Sequence, residues 1–186
     1  MTKISIYLTT ALIIISAIIG VGIGYVLTPQ YSLSMYDKNV MDLGRADKWL
    51  DLRYVNAMIA HHRGAILLAE QAEKSERIEV EDLAREIQKN EPALIAELYA
   101  WKKEWYNDIR IVADPTSPKL GAYDATFDLR FLNAIIAHHE SGIEMTKDVR
   151  LKSSNGKVLD NADAVEAFLT SSGEMLKGWR SSWYSI

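Results

Sequence analysis

The stretch that decides the fold is Asp51-Leu-Arg-Tyr-Val-Asn-Ala-Met-Ile-Ala-His-His62, which returns without a gap as Asp128-Leu-Arg-Phe-Leu-Asn-Ala-Ile-Ile-Ala-His-His139. Positions that differ between the two copies exchange one apolar or aromatic residue for another. All 4 histidines of the chain stand in these copies, as the pairs His61-His62 and His138-His139. Because histidine is the commonest metal ligand and titrates near neutral pH, the repeat predicts a duplicated site lined by imidazoles.

A second repeated motif follows each histidine pair. Trp101-Lys-Lys-Glu-Trp105-Tyr106 corresponds to Trp179-Arg-Ser-Ser-Trp183-Tyr184. Apolar residues recur at helical spacing through both halves, which predicts helices near residues 46–73, 78–106, 123–149 and 161–184. Pro92 lies inside the second of these, so we expect a kink or a break there.

The repeat indicates how the helices assemble. Each half forms a helical hairpin, and one hairpin cannot cover its own apolar face. Two hairpins packed together can, which predicts an all-α four-helix bundle with approximate two-fold symmetry. We expect the first hairpin at 46–106, a linker at 107–122 and the second hairpin at 123–186.

The N-terminal segment is apolar throughout. Ile4 to Leu27 contains no charged residue, and about 20 apolar residues span a bilayer as a helix. This predicts a transmembrane anchor over residues 1–27, followed by a linker at 28–45; a cleaved signal peptide is the alternative. Lys3 precedes the apolar segment, so the positive-inside tendency predicts a single-pass protein of the cell membrane. Its N-terminus would be cytoplasmic and its remaining domain extracytoplasmic.

Composition excludes several function classes. The 186 residues carry a net charge of −4 and include no cysteine, which rules out disulfides, thiolate metal sites and thiol nucleophiles. No basic stripe with interleaved aromatic residues is present, so we expect no nucleic-acid binding. No Ser or Thr stands in a nucleophile elbow near a histidine, and we expect a protein that is not an enzyme.

Two methionines lie within helical reach of the histidines. Met58 precedes His61 by one turn, and Met145 follows His138 by two turns on the same stripe. Imidazole together with a soft thioether favours copper, and two facing histidine pairs leave zinc as the alternative. The Glu-x-x-His motif of di-iron bundles does not occur. The other possibility for the histidines is structural hydrogen bonding in the core, because duplication copies a structural motif as faithfully as a functional one.

The repeated segment resembles the ferritin-like family of domain of unknown function 305 (DUF305), which includes periplasmic copper-binding proteins of the CopM type, here in two tandem copies. In the first copy the matching residues are Asp51, Val55, Met58, Ile59, His61, His62, Ala65, Ile66 and Ala69. In the second they are Asp128, Leu132, Ile136, His138, His139, Ile143 and Met145. The family's following helix matches Leu83, Ala84, Ile87, Leu98 and Trp101.

The chain departs from the family pattern at the methionines and on the second helix. Met58 has no later partner because Leu68 stands there, and Met145 has no earlier one because Ile135 stands there. A Gln-x-x-Glu-Ile motif appears as Glu91-Pro-Ala-Leu-Ile95, so its carboxylate position is lost. Either the two halves complement each other, or metal binding has decayed and the domain is a scaffold.

The resemblance implies a metal-binding protein, with copper the leading ion, for storage, chaperoning or resistance. It implies His61, His62, His138 and His139 as ligands, with Met58 and Met145 as soft auxiliary ligands. Asp51 and Asp128 would support the ligands or begin their helices. The alternative is a non-catalytic accessory subunit of a larger membrane protein complex, docked through the apolar N-terminal segment.

Overall fold

The computed structural model of the protein describes residues 43–185. These residues form four α-helices in chain order: α1 (Leu50–Ala72), α2 (Ile78–Tyr106), α3 (Phe127–Lys152) and α4 (Gly156–Tyr184). The predicted all-α fold is therefore confirmed. The predicted transmembrane anchor at 1–27 lies outside the described residues, and none of the four helices described is sufficiently long and apolar to cross a membrane.

Two helix starts differ from the prediction because aspartate side chains hold a turn ahead of the helix. The Asp47 carboxylate accepts the backbone N–H of Trp49, and the Asp124 carboxylate accepts that of Thr126. Consequently α1 begins at Leu50 and α3 at Phe127. The predicted starts near 46 and 123 are wrong by about one turn.

The fourth helix begins earlier than predicted. Asn155 is its N-cap, and the side-chain oxygen accepts the N–H of Lys157 at 3.1 Å. Asparagine is among the preferred N-cap residues because it satisfies one of the unpaired first-turn N–H groups. The helix therefore starts at Gly156 instead of near 161.

Pro92 does not break α2, which runs uninterrupted from Ile78 to Tyr106. The proline side chain is exposed. Its ring removes one backbone hydrogen bond, to the carbonyl of Gln88. Because this stretch of the helix is only partly covered by its neighbours, water can reach that carbonyl, and the helix continues through the proline.

The hairpins join through α1 and α3, which run antiparallel. One core cluster combines the end of α1 with the start of α3, including Leu68, Ala72, Phe131 and Ile135. A second cluster combines the start of α1 with the end of α3, including Tyr54, Met58, Met145 and Val149. Residues of α2 and α4 contribute to both clusters. The repeated tryptophans stack in pairs at 5.1 and 5.4 Å and pack against these clusters as partly buried side chains.

Symmetric hydrogen bonds close both ends of the α1–α3 contact. The Ser153 hydroxyl, just after α3, donates to Asp51 at the start of α1 at 2.7 Å. The Ser75 hydroxyl, just after α1, donates to Asp128 at the start of α3 at 2.6 Å. The two repeated aspartates therefore tie each helix start to the end of the other repeat's helix, a role that the sequence did not indicate.

We expect Asp128→Ala to destabilise the protein by about 1–3 kcal/mol, because it leaves the buried Ser75 hydroxyl without its acceptor. Urea unfolding measures the change in the free energy of unfolding. Asp82→Ala is the control, since Asp82 is exposed and its ion pair within residues 43–185 is with Arg85 of its own helix; we expect a change below about 0.5 kcal/mol there. Equal effects of the two substitutions would contradict the role of Asp128.

Candidate metal centre

His61 and His138 lie at the middle of α1 and α3, between the two core clusters. Their ring centroids are 3.8 Å apart, with an angle of 33° between the ring planes. The two histidine pairs therefore meet where α1 and α3 cross.

Small residues make this close approach possible. A Cβ added to Gly142 would lie 2.5 Å from Nε2 of His61, and one added to Gly64 would lie 3.2 Å from Nε2 of His138. Both glycines are in ordinary helical conformation, so they are needed for space and not for backbone freedom. Each imidazole occupies the space that a side chain on the facing helix would fill.

The two rings hydrogen bond to each other's backbone. Nε2 of His61 donates to the carbonyl of His138 at 3.1 Å, and Nε2 of His138 donates to the carbonyl of His61 at 2.9 Å. Because a carbonyl can only accept, both neutral rings carry their proton on Nε2 and their lone pair on Nδ1. Both Nδ1 atoms are buried and have no hydrogen-bond partner among residues 43–185.

The outer histidines lie edge-on to the inner pair and extend it into a row of four imidazoles. The centroid of His62 lies 6.1 Å from that of His61, and the centroid of His139 lies 6.2 Å from that of His138. Nδ1 of His62 contacts the Glu91 carboxylate of α2, and Nε2 of His139 contacts the Ser172 hydroxyl of α4 at 3.0 Å. We call His62, His61, His138 and His139, in that spatial order, the imidazole row.

Burial keeps much of the row uncharged. Desolvation, followed by the positive charge that His138 would carry, holds the pKa of His61 well below its ordinary value of 6.5. Desolvation and the nearby His139 lower the pKa of His138 to about 3. Desolvation also lowers the pKa of His139 to about 4. These three rings are neutral near pH 7, which is the form of imidazole that binds metal ions.

Both candidate methionines lie on the same side of the imidazole row. Met58 is fully buried, Met145 is 3% exposed, and both belong to the cluster at the start of α1. The aliphatic residues at the equivalent repeat positions, Ile135 and Leu68, belong to the other cluster. Each repeat has methionine at one of the two family positions, and both of these thioethers lie in the same half of the core.

The structure adds residues that the sequence did not indicate. Glu91 and Ser172 lie far from the histidines in sequence and reach them only through the pairing of helices within each hairpin. Asp51 and Asp128 lie at the two ends of the α1–α3 contact, so they are distant from the row. In the described part of the chain, no three His, Asp or Glu side chains are arranged to hold one ion. A metal ion bound here would therefore be held by fewer than three imidazoles, by thioethers, or by both.

We expect Gly142→Ala to displace His61, because the added Cβ would lie 2.5 Å from both its Nε2 and the Leu169 side chain. Overpacking of this kind costs about 1–3 kcal/mol, measured by urea unfolding. Gly173→Ala is the matched control, since its Cβ would meet no heavy atom of residues 43–185 within 4 Å. There we expect a gain of up to about 1 kcal/mol from helix propensity. A stabilising Gly142→Ala would contradict the tight crossing.

The lowered histidine pKa values predict loss of stability in mild acid. Below an ordinary pKa of 6.5 the unfolded chain takes up protons that the folded rings do not, so stability is full above about pH 6.5 and falls as the pH drops. Each such ring contributes a slope of up to about 1.4 kcal/mol per pH unit. Urea midpoints between about pH 7.5 and 5 measure it, and His139→Gln should reduce the slope. A constant midpoint over this range would contradict the prediction.

Comparison with known proteins links this geometry to a family. Residues 51–119 match the model of the domain of unknown function DUF305, and the curated proteins give no match. CopM in the Cu(I)-bound form is 26% identical with a TM-score of 0.64, over 74% of this chain and 99% of that one. CopM in the Ag-bound form, obtained by co-crystallization, is 25% identical with a TM-score of 0.62, over 70% and 95%. Apo CopM is 26% identical with a TM-score of 0.62, over 70% and 96%. The predicted resemblance to the DUF305 family is therefore confirmed by the match of its model over residues 51–119.

Proposed function

We propose that this protein is a membrane-anchored, extracytoplasmic copper-binding protein that serves in copper storage, chaperoning or resistance and catalyses no reaction. The observation that carries the proposal is the pair of crossed imidazoles with buried Nδ1 lone pairs at the centre of the domain. Copper is the cargo of the site, and the histidines and methionines of the duplicated segment are its ligands.

The hydrogen bonds of His61 and His138 match those of metal-ligating histidines. A ligating imidazole usually donates its other ring N–H to a carbonyl or carboxylate, which fixes the tautomer and the ring orientation. Here each Nε2–H is held by a backbone carbonyl of the facing helix. The nitrogen left over, Nδ1, has the lone pair that a metal ion would take.

The donor set favours copper over zinc. With no cysteine in the chain, the soft ligands are the thioethers of Met58 and Met145, which favour Cu(I). Zinc usually needs three or four His, Cys or carboxylate ligands around one ion, and residues 43–185 offer no such group. Cu(I) is stable with two or three ligands, so one or two imidazoles and a thioether suffice. The similarity to CopM, whose structures contain Cu(I), Cu(II) and Ag, supports the same choice.

The proposed location rests on the N-terminal sequence. The uncharged segment at 4–27 is long enough for a membrane span, and Lys3 ahead of it supports a cytoplasmic N-terminus. Tethering the copper-binding domain at the membrane surface would keep copper near the point where the ion crosses the bilayer.

We expect the full-length protein, purified in detergent, to bind Cu(I) and to melt at a higher temperature when loaded. Binding at a ligand concentration 100 times the Kd adds about 2.7 kcal/mol to the free energy of unfolding. Elemental analysis and thermal melting measure these effects, and replacing all four histidines with glutamine should abolish both. Wild-type protein that binds no copper would refute the proposal.

The methionines provide a test that preserves the fold. Met58→Leu and Met145→Leu nearly conserve core volume, so each should cost less than about 1.5 kcal/mol in stability while weakening Cu(I) binding. Met175→Leu is the matched control, because Met175 is 41% exposed on α4 and should leave Cu(I) affinity unchanged. If all three variants bind Cu(I) with the affinity of the wild-type protein, the two buried thioethers are excluded as ligands.

A further inference from the structure

Exposed apolar side chains collect at the end of the bundle where α1 and α4 begin and α2 and α3 end. Ile111 and Leu151 are each 87% exposed there, Ile109 is 75% exposed and Trp49 is 47% exposed. Across residues 43–185, Ile109, Ile111 and Leu151 are the most exposed of the large apolar side chains. Single exposed apolar residues are ordinary, but several at one place mark an interaction surface. We call this the entry end of the bundle, because the chain enters the domain here at Leu43.

Contacts within the bundle place all four side chains at the entry end. Trp49 is the N-cap of α1, and its ring lies 5.9 Å from that of Tyr106, the last residue of α2. The two isoleucines follow α2 and flank Arg110, whose carbonyl accepts a hydrogen bond from Nζ of Lys102 at 2.5 Å. Leu151 lies next to the end of α3, which the serine–aspartate contact described above ties to the start of α1.

The repeat shows that core packing does not require apolar residues at these positions. When the ungapped repeat is extended in both directions, Trp49 of the entry end corresponds to Thr126 at the opposite end of the bundle, and Leu151 corresponds to Lys74. None of the four residues belongs to either core cluster. Because the two ends share one backbone plan, the apolar residues of the entry end answer to something outside the domain.

Basic residues accompany the apolar ones. Arg45 and Lys48 are exposed, and neither forms an ion pair with any residue from 43 to 185. The ammonium of Lys48 lies 5.0 Å from the centre of the Trp49 ring. At the opposite end the repeat has Ala122 and Ala125 in their places. Tryptophan together with lysine and arginine is the residue set found at the level of lipid headgroups, because each joins an apolar body to a polar tip.

The carboxylates close to these basic residues are already paired. Asp47 bonds Arg53 at 2.9 Å, and Asp108 bonds Arg110 at 2.6 Å. The positive charges of Arg45 and Lys48 are therefore available to an anionic partner such as a phospholipid phosphate.

The course of the chain selects the bilayer as that partner. Leu43 is buried in the core cluster at the start of α1, and its carbonyl accepts a hydrogen bond from Nε of Arg53 at 2.5 Å. Only residues 28–42 separate this point from the uncharged segment at 4–27. If that segment spans the membrane as proposed above, the entry end is the end of the domain that is tethered to the lipid.

We propose that the entry end docks on the phospholipid surface, with Trp49, Ile109, Ile111 and Leu151 at the boundary between headgroups and acyl chains. Arg45 and Lys48 contact lipid phosphates beside them. This inference rests on the membrane anchoring in the proposed function and goes beyond it by assigning one surface of the domain to the lipid. The imidazole row then lies about 17 Å from the docked end, since eleven residues of α1 separate Leu50 from His61.

The test uses spin labels on the full-length protein, reconstituted in vesicles of phosphatidylcholine and phosphatidylglycerol. Because the chain has no cysteine, Ile111→Cys and Leu151→Cys each provide a single labelling site. Lys74→Cys and Ile78→Cys are the matched controls at the opposite end, where both side chains are exposed. Electron paramagnetic resonance measures collisions of each label with oxygen, which concentrates in lipid, and with a water-soluble nickel chelate. We expect the ratio of oxygen to nickel collisions to be several-fold higher at 111 and 151 than at 74 and 78.

A charge placed at the entry end should weaken the docking without removing the anchor. Leu151→Lys introduces the residue that the first repeat has at this position, and it should lower the oxygen-to-nickel ratio of a label at 111. Ile78→Lys, at the opposite end, should leave that ratio unchanged. Both positions are exposed, and circular dichroism verifies that the variants remain folded.

The outcomes separate this inference from the proposed function. Protein that floats with the vesicles but has equal ratios at all four labels overturns the docking and leaves the anchor and the copper proposal standing. Dipolar broadening between labels at 111 or 151 would assign the surface to a second copy of the chain and also overturn the docking. Protein that does not float with the vesicles removes the anchor together with this inference. High ratios at 111 and 151 in a protein that binds no copper would support the docking while the copper proposal fails.

Discussion

The structure depends on the close antiparallel crossing of α1 and α3 at His61 and His138. The crossing requires small residues facing each ring, and Gly142 leaves no room for even one added carbon. The reciprocal bonds from Nε2 to backbone carbonyls then fix the position of one helix along the other. A shift by one residue would break both bonds and place an imidazole against a larger side chain.

Polar contacts at three levels secure this register. Asp51 and Ser153 meet at one end of the α1–α3 contact, the histidines cross in the middle, and Asp128 and Ser75 meet at the other end. Apolar packing between the levels provides most of the stabilisation but tolerates small slips, since aliphatic side chains have no directional contacts. Buried hydrogen bonds that must all be satisfied together favour a single arrangement. The duplicated segment thus contains the residues that hold its two copies together.

The contact between α1 and α3 could be predicted from the sequence only in part. The helix content and the hairpins follow from the repeat, because two similar apolar faces pack best against each other. Whether the two histidine pairs face one another does not follow from the repeat alone. The partners of the outer histidines could not be predicted, since the rotation of α2 and α4 about their axes decides whether Glu91 and Ser172 point inward. Asp51 and Asp128 lie in the first turns of α1 and α3, as the predicted helix-start role requires. Their bonds to Ser153 and Ser75 could not be predicted because they cross between repeats, whereas helix-dipole arguments consider one helix alone.

The same limit applies to the methionines. By sequence each repeat has lost one thioether position, which could be taken as decay of a binding site. The antiparallel crossing brings Met58 of one repeat and Met145 of the other into one cluster, while Leu68 and Ile135 meet in the opposite cluster. Two incomplete repeats therefore give one sulfur-containing half and one aliphatic half of the core.

The buried, unpartnered nitrogens at the α1–α3 crossing favour a metal-binding role of His61 and His138 over a purely structural one. A buried polar atom without a hydrogen-bond partner costs about 1–3 kcal/mol, and the crossing contains two such atoms, Nδ1 of His61 and Nδ1 of His138, with no partner in the region from 43 to 185. Asparagine or glutamine could bond the facing carbonyl with its amide, and apolar residues could fill the space without that cost. Imidazole offers what these residues lack, which is a nitrogen with a free lone pair. The other nitrogen of the same ring is protonated, and its hydrogen bond fixes the orientation of the ring. A soft cation bound at those lone pairs, as proposed, would satisfy both nitrogens and offset their desolvation cost.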